Sequence, residues 1–268
     1  MKLYFSFFIS LLFASCHVQK PFKSGSKNYT HLVWFDEFNY AGLPDATKWS
    51  YESGYIRNKE LQYYTRQRLD NAKVENGNLV ISALNDSLRS GSSVYPITSA
   101  SLTTKGTKEW TYGRIEVRAK FPSRLGTWPA IWMLGSNISQ VGWPACGELD
   151  ILEHVGYMPD TIHFNVHTEK YNHVKKTNKG SKIFYPNSMN DFHVYALEWF
   201  PDRLDWYMDD KKVFSYANEN TGKDAWPFDA PQYLILNLAF GGDWGASKGV
   251  DISSLPQRFY IDYVRLYQ

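Results

Sequence analysis

The sequence has no surplus of either charge, few cysteines and no apolar run long enough to cross a bilayer. Its 29 Lys and Arg stand against 27 Asp and Glu, a formal net charge of +2. No basic block occurs, so nothing points to a nucleic-acid partner. Only two cysteines are present, Cys16 and Cys146, which excludes a disulfide framework. The one continuous apolar run, Leu3 to Phe13, is too short to span a membrane as a stable helix. No long segment carries a helical period. After Leu32 there is no repeat, low-complexity block or linker, which excludes solenoids and argues for one domain over two.

Aromatic residues are plentiful: 10 Trp, 19 Tyr and 16 Phe in 268 residues. Much of this is core, but ten tryptophans exceed what a core of this size needs. Flat rings are also what a sugar-binding cleft stacks against pyranose faces. The N-terminus reads as a targeting segment and stands outside the fold argument. Lys2 supplies the positive start, and Phe13-Ala14-Ser15-Cys16 resembles a bacterial lipoprotein cleavage box. Residues 1–15 are thus expected to be a signal peptide, with Cys16 lipidated as the first mature residue. Residues 16–30 follow as a polar, flexible tether, and residues 31–268 as the single domain. The expected location is the outer membrane, held through the lipid. Cys146 lies in an apolar strand entry and is expected to be a buried small hydrophobe, not a reactive thiol.

From Leu32 onward the pattern is strand after strand. Arg114 to Phe121 alternates polar and apolar without a break, and Asn76-Gly77 separates two β-prone runs as a hairpin turn. Phe192–Phe200, Leu204–Met208 and Lys212–Tyr216 form a meander, with Gln232–Phe240 and Phe259–Tyr267 as further strands. Many short strands with turns every 8 to 12 residues predict an all-β sandwich or jelly roll.

The chemistry concentrates in Gly147-Glu148-Leu149-Asp150-Ile151-Leu152-Glu153-His154. Side chains alternate along a strand, so Glu148 and Asp150 share a face while Leu149 and Ile151 point to the core. Glu153 has the wrong parity. A one-residue bulge around Ile151-Leu152 would return it to the acid face. Three crowded acids raise one another's pKa, so one holds a proton near neutrality. That suits a retaining glycosidase, in which one carboxylate attacks the sugar and another protonates the leaving oxygen.

Three segments resemble glycoside hydrolase family 16: Gly113 to Pro122 (GRIEVRAKFP), Gly126 to Leu134 (GTWPAIWML) and Gly142 to Glu153 (GWPACGELDILE). The bulged acid motif after Trp-Pro is most similar to laminarinases and mixed-linkage glucanases. The similarity runs from Trp34–Phe38 to Asp262–Arg265, nearly the whole mature chain. It implies a concanavalin-like β-jelly-roll sandwich with an open substrate cleft. It also implies Glu148 as nucleophile, Asp150 as assisting acid and Glu153 as general acid/base. The expected activity is a retaining endo-hydrolase of β-1,3 or mixed β-1,3/1,4 glucan, acting as a monomer. A family member working on agar, carrageenan or xyloglucan, and a non-catalytic glycan-binding jelly roll, are the alternatives. The stretch from Trp128 to Glu153 contains no Lys or Arg, which favours a neutral polymer over a sulfated one.

Trp128, Trp132 and Trp143 flank the acids and are expected in the cleft, with core packing as the alternative for each. His163, Asn165 and His167 alternate on one strand; His167 is the expected cleft residue, and His193 is a weaker candidate. Asn58, Glu60 and Gln62 are expected to share a strand face and reach sugar hydroxyls. Asn237, in an apolar strand, must support the cleft or touch substrate, since a buried amide needs partners. Trp244, in a Gly-rich segment, is expected to be a mobile stacking ring. The resemblance further implies a structural calcium at Glu37, Gly77 and Asp262. Catalysis itself calls for no metal or cofactor.

Overall fold

The computed structural model describes residues 24–268; the expected signal peptide, Cys16 and most of the expected tether lie outside them. Seventeen strands form two sheets. The larger sheet holds β1 (Leu32–Asp36), β3 (Tyr63–Tyr64), β4 (Ala72–Glu75), β5 (Asn78–Ser90), β6 (Ser93–Ser99), β8 (Gly113–Lys120), β13 (His193–Trp199), β14 (Arg203–Met208), β15 (Lys211–Ala217) and β17 (Gln257–Tyr267). Its order is β15-β14-β13-β8-β17-β5-β6-β3, with β1 against β17 and β4 against β5. The smaller sheet holds β2 (Ser50–Tyr51), β7 (Ser101–Thr103), β9 (Thr127–Gly135), β10 (Glu148–Glu153), β11 (Thr161–His167), β12 (Lys179–Phe184) and β16 (Gln232–Phe240), in the order β12-β11-β10-β9-β16-β7-β2. Two single α-turns, α1 (Ile138–Val141) and α2 (Gly242–Gly245), and one 3-10 turn complete the described residues. The expected all-β sandwich is what the chain forms.

Period-two alternation fixes which face of each strand is buried. Ile115, Val117 and Ala119 of β8 and Tyr195, Leu197 and Trp199 of β13 point inward from the larger sheet. Ile131 and Met133 of β9, Ile162, Phe164 and Val166 of β11, and Leu234, Leu236 and Leu238 of β16 meet them from the smaller one. All of these are buried in one continuous core. The Asn76-Gly77 turn has both residues at positive φ, 52° and 74°, the geometry that matches a tight hairpin to strand twist. It joins β4 to β5 with Val74 opposite Leu79.

One expectation about local structure is corrected. Residues 58–62 are not a strand. Asn58 and Lys59 both adopt positive φ, 55° and 53°, which breaks the alternation, and only an isolated bridge from Glu60 to Gly241 remains. The apparent alternation of Asn58, Glu60 and Gln62 comes from a loop whose polar side chains bond one another.

Candidate active site

Strand β10 carries the three acids, and its ladder shows the bulge. On the β11 side Asp150 faces Asn165 and Glu153 faces His163, three residues against two. On the β9 side Asp150 faces Trp132 and Leu152 faces Ile131, two against one. The extra residue leaves Ile151 and Leu152 both buried in the core and turns Glu153 back to the outer face. Trp206, from the opposite sheet, donates its indole N–H across the core to the carbonyl of Asp150 at 2.8 Å. This bond satisfies backbone at the irregular point of the ladder. Entry to the strand is fixed by Gly147, at φ 80°, where an added Cβ would stand 2.7 Å from Pro227. No larger residue fits there.

The acids lie on the floor of a cleft of about 860 Å³ on the outer face of the smaller sheet. Trp143 donates to Glu148 Oε2 at 2.7 Å, and His167 Nε2 lies 3.7 Å from Glu148 Oε1. Trp128 donates to Glu153 Oε1 at 3.1 Å, and Asn165 donates to Glu153 Oε2 at 3.1 Å. Asp150 sits between them, with His167 Nε2 3.4 Å from its Oδ2. Loss of hydration raises the pKa of all three acids. For Glu148 the neighbouring Asp150 adds to this and pushes the group up to about 8, while His167 and the Trp143 N–H pull down. Asp150 lies well above the ordinary range, first from burial and then from the charge of Glu153. Glu153 is also raised by burial, against His167, Trp128, Asn165 and Asp150. The triplet therefore titrates as one unit and retains protons at neutral pH.

The other expected cleft residues divide. Trp128, Trp132 and Trp143 all line the cleft, but they differ in burial. Trp132 is 8% exposed and donates to Asn237 Oδ1 at 2.7 Å, whereas Trp143 is 36% exposed. Asn237 donates in turn to the hydroxyl of Tyr64 at 3.0 Å, so its amide bridges two rings of the floor that it also lines. Asn58, Glu60, His163, Asn165, His167 and Trp244 also line the cleft. Trp244 packs edge-on against Trp128 and His163, at 5.4 and 4.9 Å between ring centres. Burial and nearby Lys182 push His163 down to about 4, so it is neutral. Gln62 is buried behind Glu60, donating to it at 2.7 Å, and is absent from the lining. His193 lies on β13 of the other sheet, paired with Asp209 at 2.6 Å, and has no part in the cleft. Cys146 is fully buried beside Trp132 and Leu134, and burial pushes its thiol up to about 11.

Arg57, His173 and Tyr233 are among the cleft residues that escaped the sequence reading. Arg57 pairs with Glu52 and lies over the Trp132 ring at 4.9 Å, leaving its buried Nη1 without a hydrogen-bond partner. His173, on the β11–β12 connection, packs tilted against Trp143 with ring centres 5.1 Å apart. Tyr233 lines the wall from a strand that is buried throughout. No periodicity marks a loop residue, although Arg57 adjoins Asn58 and could have been found through it.

The side chains at the expected calcium positions are engaged within the protein. Both Glu37 oxygens accept from Arg265, at 2.7 and 2.9 Å, and Asp262 accepts from Arg118 at 2.5 Å. Gly77 has only backbone to offer. Both carboxylates are engaged by guanidinium groups, so a calcium expected at these positions would draw on backbone carbonyls, as at Gly77, more than on these side chains. Among the described residues the group with metal-ligand spacing is Glu148, Asp150 and His167, whose donor atoms lie within 4.8 Å of one another. That group is the acid cluster itself.

Comparison with known proteins agrees with this geometry. The family model described as glycosyl hydrolases family 16 matches residues 59–265. A curated relative, the beta-glucanase of Rhodothermus marinus, is 45% identical over 272 aligned positions, covering 98% of this chain and 93% of that protein. The crystal structure of the laminarinase from Rhodothermus marinus superposes with a TM-score of 0.85 at 47% identity, covering 89% of this chain and 97% of that one. A variant of SCLam, a non-specific endo-beta-1,3(4)-glucanase, was co-crystallised with 1,3-beta-D-cellotriosyl-glucose. It superposes with a TM-score of 0.86 at 45% identity, covering 92% of this chain and 97% of that one. With its two-sheet jelly roll, its bulged acid strand and this coverage, the chain belongs to glycosyl hydrolases family 16.

Proposed function

We propose that this protein is a retaining endo-β-glucanase that hydrolyses laminarin and mixed-linkage β-1,3/1,4-glucan. The observation that carries the reading is the bulged β10, which brings Glu148, Asp150 and Glu153 to one open cleft floor with separate N–H donors on the outer pair. In the first step Glu148 attacks the anomeric carbon in its ionised form, which His167 and the Trp143 N–H favour, while Glu153 gives its proton to the departing glycosidic oxygen. The glycosidic bond breaks and a glycosyl ester to Glu148 forms. In the second step Glu153, now ionised, takes a proton from water, which displaces Glu148 and restores the starting charge. Two inversions give net retention. Asp150 lies between the two and holds a proton that limits their repulsion. No step calls for a metal.

The lining supports a neutral polymer. Among the described residues that line the cleft two are lysine or arginine, Arg57 and Lys105, and Arg57 is already paired with Glu52. A sulfated chain would find few groups there to hold it. Hydrolysis of laminarin, barley β-glucan and lichenan, followed by proton NMR of the first product, tests the reading. The β-anomer must form first; initial α-anomer rules out double displacement. We further propose that the protein is monomeric and is anchored to the outer membrane through lipidated Cys16. Palmitate labelling of the wild type, lost in Cys16→Ala, is the expected result, and light scattering checks the monomer.

A further inference from the structure

Past the rim of the cleft, beside the wall formed by Ile56, Arg57 and Asn58, stand three tyrosines that the chemistry does not use. Tyr55 is 57% exposed and adjoins the exposed Ile56. Its ring meets Tyr63 edge-on at 5.7 Å, and Tyr63 lies 3.9 Å from Tyr95 at 33°. Tyr55 and Tyr95 are 6.2 Å apart. None of the three lines the cleft itself. They come from separate segments held together by backbone. β3 pairs parallel with β6, and Gly54 exchanges two hydrogen bonds of 3.0 Å with Tyr64, so Tyr55 is pinned beside Tyr63.

We propose that Tyr55, Tyr63 and Tyr95 form a remote glucan-binding platform, continuous with the cleft, that holds the polysaccharide where it leaves past Asn58. The inference rests on the glucanase reading above. Tyr63 and Tyr95 are half-buried and back the exposed Tyr55, which with the exposed Ile56 and Val94 makes one contiguous patch, and such a patch, unlike isolated exposed apolar residues, marks a binding surface. The occupant follows from continuity, because consecutive residues run from the platform (Tyr55) to the cleft wall (Ile56, Arg57, Asn58). A phenol ring offers an apolar face and a polar rim, which matches the C–H face and hydroxyl edge of a pyranose. The three rings already pack on one another, so binding orders little that was free. Binding so far from the acids acts equally on ground and transition states and therefore lowers KM without raising kcat.

The test compares the full chain with Tyr55→Ala/Tyr95→Ala and with Tyr55→Phe/Tyr95→Phe. Kinetics are measured on polymeric laminarin and on a β-1,3-linked oligosaccharide short enough to stay within the cleft. The Ala variant should raise KM on the polymer about three- to tenfold, the scale of one or two lost ring contacts. Its kcat and its kinetics on the oligosaccharide should match the wild type, and the Phe variant should restore polymer KM. Unchanged polymer KM in the Ala variant overturns the platform. So does an equal loss on both substrates, which would make the rings a support for the cleft wall. If the wild type hydrolyses neither substrate, the glucanase reading falls and takes the platform with it.

Discussion

Glu148 sits on the cleft floor with only 15% of its side chain exposed, and burial together with Asp150 holds its carboxyl at about 8. The folded chain therefore binds a proton that the unfolded chain has already released. Stability falls as pH rises from the ordinary carboxylate range near 4 to about 8, and the full penalty applies above that. Glu148→Gln removes the penalty. Its melting temperature should exceed that of the wild type by an amount that grows from pH 4 to pH 8 and then levels off, while turnover drops by several orders of magnitude. Near-normal turnover would remove Glu148 from the mechanism. Trp143 acts on the same group. Its N–H stabilises the ionised form, so Trp143→Phe should raise the Glu148 pKa. The acidic limb of kcat/KM should then move up by about one to two units, since a hydrogen bond to a charged group contributes about 1.5–3 kcal/mol. An unmoved limb in the pH profile would show that this bond has no catalytic consequence.

Strand β10 shows how far a sequence pattern reaches. The parity conflict between Glu148 and Glu153 could be read directly from residue spacing, and so could the bulge at Ile151-Leu152, because acids do not belong between two apolar sheets. The alternating strands β8, β13, β14 and β17 were equally legible. Residues 58–62 were not. Their polar-apolar alternation imitates a strand, and positive φ at Asn58 and Lys59 is set by contacts distant in sequence, such as Gly242 against Asn58 and Glu60. The double role of the tryptophans was also hidden. Composition pointed to stacking rings, whereas Trp128 and Trp143 also bond the acids through their indole N–H groups. The bulge has its own test. Deleting Ile151 shortens the separation of Glu148 and Glu153 from five residues to four, so a regular strand would still present Glu153 on the acid face opposite His163, while the core loses the buried Ile151 side chain. The variant should keep measurable hydrolysis and melt at a lower temperature, since losing a large buried aliphatic side chain costs about 2–5 kcal/mol. Loss of activity in a variant that still folds would mean that the bulge sets the catalytic geometry beyond turning Glu153 outward.

At the scale of the molecule, the two outer faces have different tasks. The cleft occupies the outer face of the smaller sheet, and residues 24–29 lie as a strap across the outer face of the larger one. Gly25 N–H donates to Glu116 at 3.0 Å, Asn28 donates to Glu198 at 3.4 Å, and the Tyr29 hydroxyl donates to the Trp199 carbonyl at 2.8 Å. Beneath the strap, Arg114 is 1% exposed in its side chain and pairs with Glu116 at 2.7 Å and Glu198 at 3.2 Å. Such a group is tolerated only while its partners and cover stay in place. Gly25 is where the cover comes closest, since a Cβ there would stand 2.1 Å from Asp210 and 2.7 Å from Arg114. Gly25→Leu must therefore lift the strap and wet the pair. We expect it to lower stability by about 1–3 kcal/mol, the usual cost of overpacking, read as a lower melting temperature. Hydrolysis of a short β-glucan at 25 °C should stay unchanged, because the acids lie across the whole thickness of the sandwich, whose sheets pack about 10 Å apart. A fall in turnover at constant stability would mean that the strap is coupled to the cleft. If turnover holds, the strap serves the stability of the larger sheet alone, and the face it covers works independently of the cleft on the opposite side of the sandwich.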